Sequence, residues 1–167
     1  MPELQPTACA SPPCYAAEVD PAYNGAVSDA ELAELLNTML EVGRASAKAL
    51  TAIGADFDQT EVTDLLTSVQ RNQARFCGVL TRVLTQLGAT PSDATSTLHD
   101  EVLGLTEVAE RLALLNSGMA WIVGQFEATL PRVSDDELHG VLTEWREIHR
   151  SDLKDCSALL DWLAKQT

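Results

Sequence analysis

The sequence has few aromatic and few basic residues, and it has no long apolar run. Phe, Trp and Tyr make up 5% of the 167 residues, and 11 Lys and Arg stand against 25 Asp and Glu, for a formal charge of −14. Phosphate backbones and anionic lipids repel such an acidic chain, so nucleic-acid binding is not expected. No run approaches the roughly 20 apolar residues of a membrane helix, and the N-terminus lacks the regions of an export signal. We therefore expect a cytoplasmic protein without a membrane partner.

Closely spaced cysteines are lacking as well. The four cysteines, Cys9, Cys14, Cys77 and Cys156, have no zinc-knuckle spacing, and a chain of this size needs no disulfide framework. We therefore expect reduced thiols. Cys9 and Cys14 lie near the N-terminus, where they are either ordinary free thiols or groups that cover a site or link two subunits.

The first 27 residues are rich in proline and show no helical periodicity. Proline disrupts helices, because it lacks an amide hydrogen and its ring clashes with the preceding turn. We predict an extended N-terminal arm over residues 1–27 and one helical domain over residues 28–167. The arm is expected to pack on this domain or on a neighbouring subunit.

Four long helices are predicted from start and stop signals. The starts are three capping boxes, in which the cap side chain and a Glu three residues later satisfy free backbone amides: Ser28–Glu31, Asp58–Glu61 and Ser134–Glu137. Gly54 and Gly88 are predicted left-handed stops, and Pro131 ends the third helix. A short additional helix is predicted over Leu98–Leu103.

The long helices each carry one apolar stripe with spacings of three and four residues. Helices of similar length with one apolar face predict an all-α four-helix bundle. The first and last connections are short and the middle one is long enough to span the bundle, which is the connection order of ferritin-like bundles. The alternative is an up-down-up-down bundle with a loose middle loop.

A ferritin-like di-iron centre needs carboxylates and imidazoles on the inner helix faces, from two Glu and two Glu-x-x-His pairs. The mid-helix positions of the four stripes instead hold Gly43, Gln73, Met119 and His149. Two divalent ions in an apolar core are not viable without anionic ligands. We therefore expect no conventional di-iron centre.

Three short segments carry a further signal: Cys14-Tyr15-Ala16-Ala17-Glu18, Glu41-Val42-Gly43-Arg44 and Asn72-Gln73-Ala74-Arg75-Phe76-Cys77. They resemble the motifs Cys-Tyr-x-His-Glu, Glu-Ala-Glu-Arg and Asp-Glu-Ala-Arg-Trp-Cys of a bacterial ferritin-like family of uncharacterised function. The resemblance implies a ferritin-like fold. Ala17, Gly43 and Gln73 each stand where that family has a ligand-type residue, so the resemblance implies a degenerate metal site and identifies no reaction.

The strongest candidates for chemistry are His149 and Asp152. They lie three residues apart on one helical face, so the carboxylate could orient the imidazole for metal ligation or proton transfer. The alternative is a satisfied pair in the core. If Gly43 leaves space opposite Met119 and Gln73, the core would hold a small organic ligand between polar side chains. Close helix packing is the other explanation of this glycine.

Three functions stay open. The first is a divergent ferritin-like protein, without a conventional di-iron site, that binds a small molecule or a single metal at mid-bundle through Gln73, Met119, His149 and Asp152. The second is a metal-dependent oxidoreductase whose atypical centre adds Glu41 and Cys77 to His149 and Asp152. The third is a non-catalytic scaffold that binds a protein partner. The sequence does not decide between a monomer and a homodimer.

Overall fold

The described part of the chain is helical. The structure, a computed structural model, describes residues 25–166; the predicted arm up to residue 24, with Cys9, Cys14 and Ala17, lies outside the described residues. The elements are α1 (Asp29–Gly54), α2 (Thr60–Gln86), α3 (Leu98–Gly104), α4 (Val108–Thr129), a 3-10 turn (Leu130–Arg132) and α5 (Asp136–Ala164). No strand occurs within residues 25–166, so the predicted all-α class is confirmed. Within the same residues no helix combines the length and apolarity that a bilayer crossing requires.

Two of the long helices, α1 and α5, begin with a side-chain cap. The Ser28 hydroxyl accepts a hydrogen bond from the Glu31 amide at 3.2 Å, as predicted. The predicted return contact is also present, because the backbone of Ser28 donates a hydrogen bond to the Glu31 carboxylate, which in addition forms a two-bond ion pair with Arg132 at 2.8 and 3.0 Å. At α5 the cap is Asp135, whose Oδ1 accepts a hydrogen bond from a backbone amide at 2.7 Å. The predicted box is therefore wrong by one residue, since Ser134 lies outside the cap.

The other two long helices, α2 and α4, begin without a side-chain cap. Helix α2 starts at Thr60 with Gln59 before it, so the predicted capping box at Asp58 is wrong. At α4 the cap residue is Glu107, and its side chain makes no capping hydrogen bond. The predicted left-handed stop at Gly54 is also wrong, because α1 continues through this residue and its φ is not positive.

The upper ends of α2 and α4 follow the predictions. Gly88 has a φ of +73°, and the amide of Ala89 donates to the Leu84 carbonyl at 2.9 Å, which closes the last turn of α2. Helix α4 passes into the 3-10 turn that contains Pro131, a residue that cannot continue the helix. The predicted short helix is present as α3.

Packed long helices run antiparallel to their neighbours. Residues 55–59 join α1 to α2 and residues 130–135 join α4 to α5, so each pair forms a hairpin. Contacts of α1 with α4 and of α2 with α5 join the two hairpins. We call the end at which α1 and α5 begin the upper end; there the Val27 amide donates to the Arg132 carbonyl at 2.9 Å. The opposite end is the lower end.

The long connection, residues 87–107, descends along α1 from the upper to the lower end. Three hydrogen bonds from successive turns of α1 fix it in this order: Asn37 to the Thr90 carbonyl at 3.1 Å, Arg44 to the Ala94 carbonyl at 3.0 Å, and Lys48 to the Thr95 hydroxyl at 3.2 Å. Helix α3 then packs against α1 and α4. The connection is therefore an ordered crossover rather than a loose loop.

The buried apolar side chains form two clusters, one above the other. The upper cluster holds all three buried aromatic side chains of the described core and includes Leu36, Met39, Phe76, Leu80, Phe126 and Trp145. The lower cluster includes Ala45, Leu50, Leu66, Leu112, Met119 and Cys156. Each long helix contributes to both clusters and therefore crosses a boundary near its middle.

Candidate functional site

A set of buried polar side chains lies near the boundary between the two clusters. Every long helix supplies at least one of them: Ser46 from α1, Gln73 from α2, Asn116 from α4, and His149 and Asp152 from α5. None of these five residues is more than 8% exposed. We call them the polar layer.

Helical periodicity explains how the sequence builds this layer. On α5, His149 and Asp152 lie between Trp145 of the upper cluster and Cys156 of the lower cluster, with steps of four, three and four residues. Such steps keep all four side chains on one face of the helix. Gln73 interrupts the apolar face of α2 in the same way. The burial predicted for these positions from the apolar stripes is thus confirmed.

Gln73 and Met119 meet across the core. The Gln73 amide nitrogen Nε2 lies 3.8 Å from the Met119 sulfur, to which it donates a weak hydrogen bond. The Gln73 oxygen Oε1 has no hydrogen-bond partner in the described chain. The structure therefore brings these two predicted ligand-binding residues together. The Gln73 oxygen beside this contact is a free acceptor within the described chain.

Asp152 is a buried carboxylate that forms no ion pair within residues 25–166. Asn72 Nδ2 donates to its Oδ1 at 2.8 Å, while its Oδ2 has no partner. Burial raises the pKa of Asp152 from 3.8 to about 6, because the charged form loses hydration; the charge of Asp155 acts in the same direction, and hydrogen bonds from Asn72 and Gln73 act in the opposite direction. The side chain is therefore mainly ionised at neutral pH.

The His149 ring packs against aromatic rings of the upper cluster. Its ring centroid lies 4.4 Å from that of Phe76 and 5.9 Å from that of Phe126. Its Nδ1 lies 2.9 Å from the Trp145 carbonyl oxygen, and because a carbonyl can only accept, Nδ1 carries the hydrogen. Burial lowers the pKa of His149 from 6.5 to about 4. The ring is therefore neutral at pH 7, and its Nε2 is an acceptor that has no hydrogen-bond partner among residues 25–166.

Six buried polar atoms of the layer have no hydrogen-bond partner within the described chain: Ser46 Oγ, Gln73 Oε1, Asn116 Oδ1 and Nδ2, His149 Nε2 and Asp152 Oδ2. Buried polar groups are almost always paired, so such a concentration indicates a partner from outside the described residues. Four of the atoms only accept hydrogen bonds, the Asn116 nitrogen only donates, and the Ser46 hydroxyl does both. The layer therefore presents an excess of acceptors.

Two glycines inside the helices, Gly43 and Gly118, permit close packing. A Cβ at Gly43 would lie 3.1 Å from the Cys77 sulfur and 3.3 Å from Phe76 Cδ1. On α4, a Cβ at Gly118 would lie 2.5 Å from Leu98 Cδ2. The hypothesis that Gly43 opens a cavity is therefore wrong, because side chains of α2 already fill the space above it.

Glu41 lies apart from the polar layer. Its carboxylate accepts a hydrogen bond from the Ser92 hydroxyl on the crossover. Among residues 25–166, no three His, Cys, Asp or Glu side chains are grouped so that they could hold a metal ion. The structure therefore does not bring Glu41 together with His149 and Asp152.

The two cysteines of the described chain are protonated at neutral pH. Burial raises the pKa of Cys156 to about 12, and the charges of Asp152 and Asp155 act in the same direction. Burial also raises the pKa of Cys77, against the charge of Arg44. Neither thiol is activated as a nucleophile, so neither strengthens the hypothesis of an oxidoreductase.

Sequence reasoning missed two contributors, Asn72 and Asn116. Asn116 precedes Met119 by three residues on the same face of α4, so its helical spacing was a usable signal. Asn72 has no comparable signal, because it lies beside Gln73 and off the apolar stripe. Its role depends on the contact between α2 and α5, which spacing along one helix does not reveal.

Comparison with known proteins adds a family and no activity. Neither a curated protein nor a solved structure matches this chain. One family model, described as a domain of unknown function, matches residues 30–158, a range that contains the whole polar layer. Because this match extends over most of the sequence, the chain belongs to the family described as "Domain of unknown function (DUF6306)".

Proposed function

We propose that this protein is a ferritin-like four-helix protein without a conventional di-iron centre, and that its polar layer binds a small cation with N–H donors, such as a protonated amine. The observation that carries the proposal is the set of six unpartnered polar atoms, most of them acceptors, in the buried layer. The ligand would supply the hydrogen-bond donors that the protein lacks there.

Support for the ferritin-like part comes from the connections. Two hairpins, α1–α2 and α4–α5, are joined by an ordered crossover that runs the length of α1. This order of short, long and short connections is the one that ferritin-like bundles use. Their metal sites lie on inward faces near mid-bundle, and the polar layer occupies inward positions of the same kind.

Support for a positively charged ligand comes from Asp152. A buried carboxylate is costly unless an opposite charge or several hydrogen bonds offset the lost hydration. Asn72 and Gln73 supply hydrogen bonds from neutral amides, and no Lys or Arg of the described chain forms an ion pair with this carboxylate. A cation in the layer would remove this imbalance.

Support for N–H donors comes from the kind of atom that is free. His149 Nε2, Gln73 Oε1 and Asp152 Oδ2 can each accept a hydrogen bond and none of them can donate at neutral pH. A primary ammonium group offers three N–H donors and one positive charge. It matches the layer in both respects, whereas an anion matches it in neither.

The test is thermal unfolding of the full chain in methylammonium chloride, with tetramethylammonium chloride as the matched salt that has the same charge and no N–H donor. Ligand at ten times its Kd stabilises the folded state by about 1.4 kcal/mol. For a chain of this size we expect a rise in Tm of roughly 3 to 6 °C with methylammonium only.

Two variants locate the effect. Asp152→Asn should abolish the methylammonium shift, and Asp155→Asn, at an exposed position one turn further along α5, should keep it. Equal shifts with both salts, or no shift with methylammonium, would overturn the proposal. A shift with Zn²⁺ alone, together with zinc retained in elemental analysis, would also overturn it and favour a single-metal site.

A further inference from the structure

The geometry points to a homodimer in which the α2–α5 face of one copy packs on the same face of a second copy. This inference goes beyond the proposed function and does not rest on it. It is carried by the shape, the apolar floor and the charges of the groove between these two helices.

The groove exists because α2 and α5 pack less closely than the helices within each hairpin. Its volume is about 680 Å³. Val79, Val141 and Ile148 line it and are only half-buried, so apolar surface remains open to solvent. A second apolar recess further down the same face contains Trp162, which is 38% exposed. Exposed apolar side chains that lie among polar and charged ones, as in these two recesses, mark a site of association.

The two walls of the groove carry opposite charges. Arg75 and Arg82 lie on the α2 wall, and Glu137 and Glu144 lie on the α5 wall. All four side chains are exposed, and none of them forms an ion pair within residues 25–166. The α2 wall is therefore basic and the α5 wall acidic, in a chain whose formal charge is −14.

This arrangement of charges is self-complementary. A two-fold axis parallel to the helices places α2 of one copy opposite α5 of the other at the same height, so each basic wall meets an acidic wall. A two-fold axis across the helices would instead place basic wall on basic wall. Symmetric dimers use the same patch twice, and opposite charges across an interface favour the correct pairing. The charges thus select a second copy as the occupant and fix its orientation.

The second copy would also cover the surface nearest the polar layer. Asn72 lines the groove and donates to Asp152 at 2.8 Å, so one side chain separates the groove from that buried carboxylate. Dimer formation would enclose this contact.

The test uses two charge-reversed variants of the full chain. In Arg75→Glu/Arg82→Glu both walls are acidic, and in Glu137→Lys/Glu144→Lys both walls are basic. Sedimentation equilibrium should give twice the 18.0 kDa chain mass for the wild type. Each variant alone should dissociate with a Kd raised about 100-fold or more, because like charges now face each other. An equimolar mixture of the two variants should form a heterodimer.

Matched variants control for net charge. Lys154→Glu/Lys165→Glu and Glu34→Lys/Glu110→Lys change exposed residues outside the groove by the same amounts and should remain dimeric. A monomeric wild type, or variants that stay dimeric, would overturn the proposal. So would cross-links between residues 1–24 and the α2 wall within one chain, since the occupant would then be the N-terminal segment. Methylammonium binding has no part in these outcomes.

Discussion

The upper and lower ends of the helical body are built differently. At the upper end Ser28 and Asp135 cap two helices, Gly88 closes a third, and Arg132 joins the start of α1 through its ion pair with Glu31. At the lower end α2 and α4 begin without a side-chain cap. Side-chain caps therefore occur at the upper end, whereas at the lower end Arg111 bonds to the Leu105 carbonyl and to Asp56.

The two apolar clusters also differ. The ring of Phe76 lies 5.9 Å from that of Phe126 and 5.5 Å from that of Trp145, measured between centroids. The lower cluster relies on aliphatic side chains, with Met119 and Cys156 beside the layer. Aromatic rings have few rotamers and large contact areas, so they hold their neighbours in place. The aromatic side chains of the upper cluster therefore position the polar layer, mainly through their contacts with His149.

Removing an aromatic ring from the upper cluster should have the largest effect on the free energy of unfolding. Phe76→Ala should lower the free energy of unfolding by about 3 to 5 kcal/mol, as removal of a buried ring usually does. It should also raise the pKa of His149, because water gains access to the imidazole. Leu50→Ala, in the lower cluster, should cost about 2 to 5 kcal/mol and leave that pKa unchanged. Denaturant unfolding and NMR titration measure the two quantities, and an equal pKa response in both variants would contradict this account.

The contributions of His149 and Asp152 to the free energy of unfolding should change with pH in opposite directions. Below pH 6.5 the unfolded chain protonates its imidazole while folded His149 stays neutral, so this residue destabilises the wild type as pH falls toward 4. Asp152 acts oppositely, because its folded pKa of about 6 lies above 3.8 and the folded state takes up the proton first.

The variants should therefore diverge relative to the wild type as pH falls from 6.5 to 4. His149→Phe should gain stability by up to about 3 kcal/mol, at about 1.4 kcal/mol per pKa unit. Asp152→Asn should lose stability over the same range. Unfolding free energies at several pH values give both slopes, and slopes of the same sign would refute the assignment.

The smallest expected effect tests the helix starts. Asp135→Ala removes an observed cap and should cost about 1 kcal/mol. Asp58→Ala removes a residue that the sequence marks as a cap and that the structure leaves outside α2, so it should cost almost nothing. Equal losses of unfolding free energy in the two variants would show that the lower end is capped in solution.

The sequence allowed correct prediction of the helices more often than of their exact ends. Ser28 and Gly88 were correctly identified, because their capping bonds are local. Ser134 was not, because its neighbour Asp135 takes the cap position, and Asp58 was not, because α2 begins after Gln59 without a side-chain cap. A capping pattern thus predicts a helix start to within a residue or two.

The candidate site was predictable in its members and not in its contacts. Helical periodicity correctly placed Gln73, His149 and Asp152 inside, because the inward face depends only on spacing along one helix. It gave no information on Asn72, whose partner lies 80 residues further along the chain. It left two explanations of Gly43 open, because the side chains above that glycine, which decide for close packing, come from another helix.

The sequence by itself determined the all-α class, the four long helices, the long middle connection and the polar residues that interrupt the apolar faces. These follow from patterns within a few turns of one helix, where each side chain's direction is fixed by its position. Contacts between helices instead set three facts about residues 25–166: Glu41 bonds to the crossover, Asp152 forms no ion pair, and six buried polar atoms have no hydrogen-bond partner. Those facts depend on which helices face each other and at what height, and no spacing along a single helix contains that information.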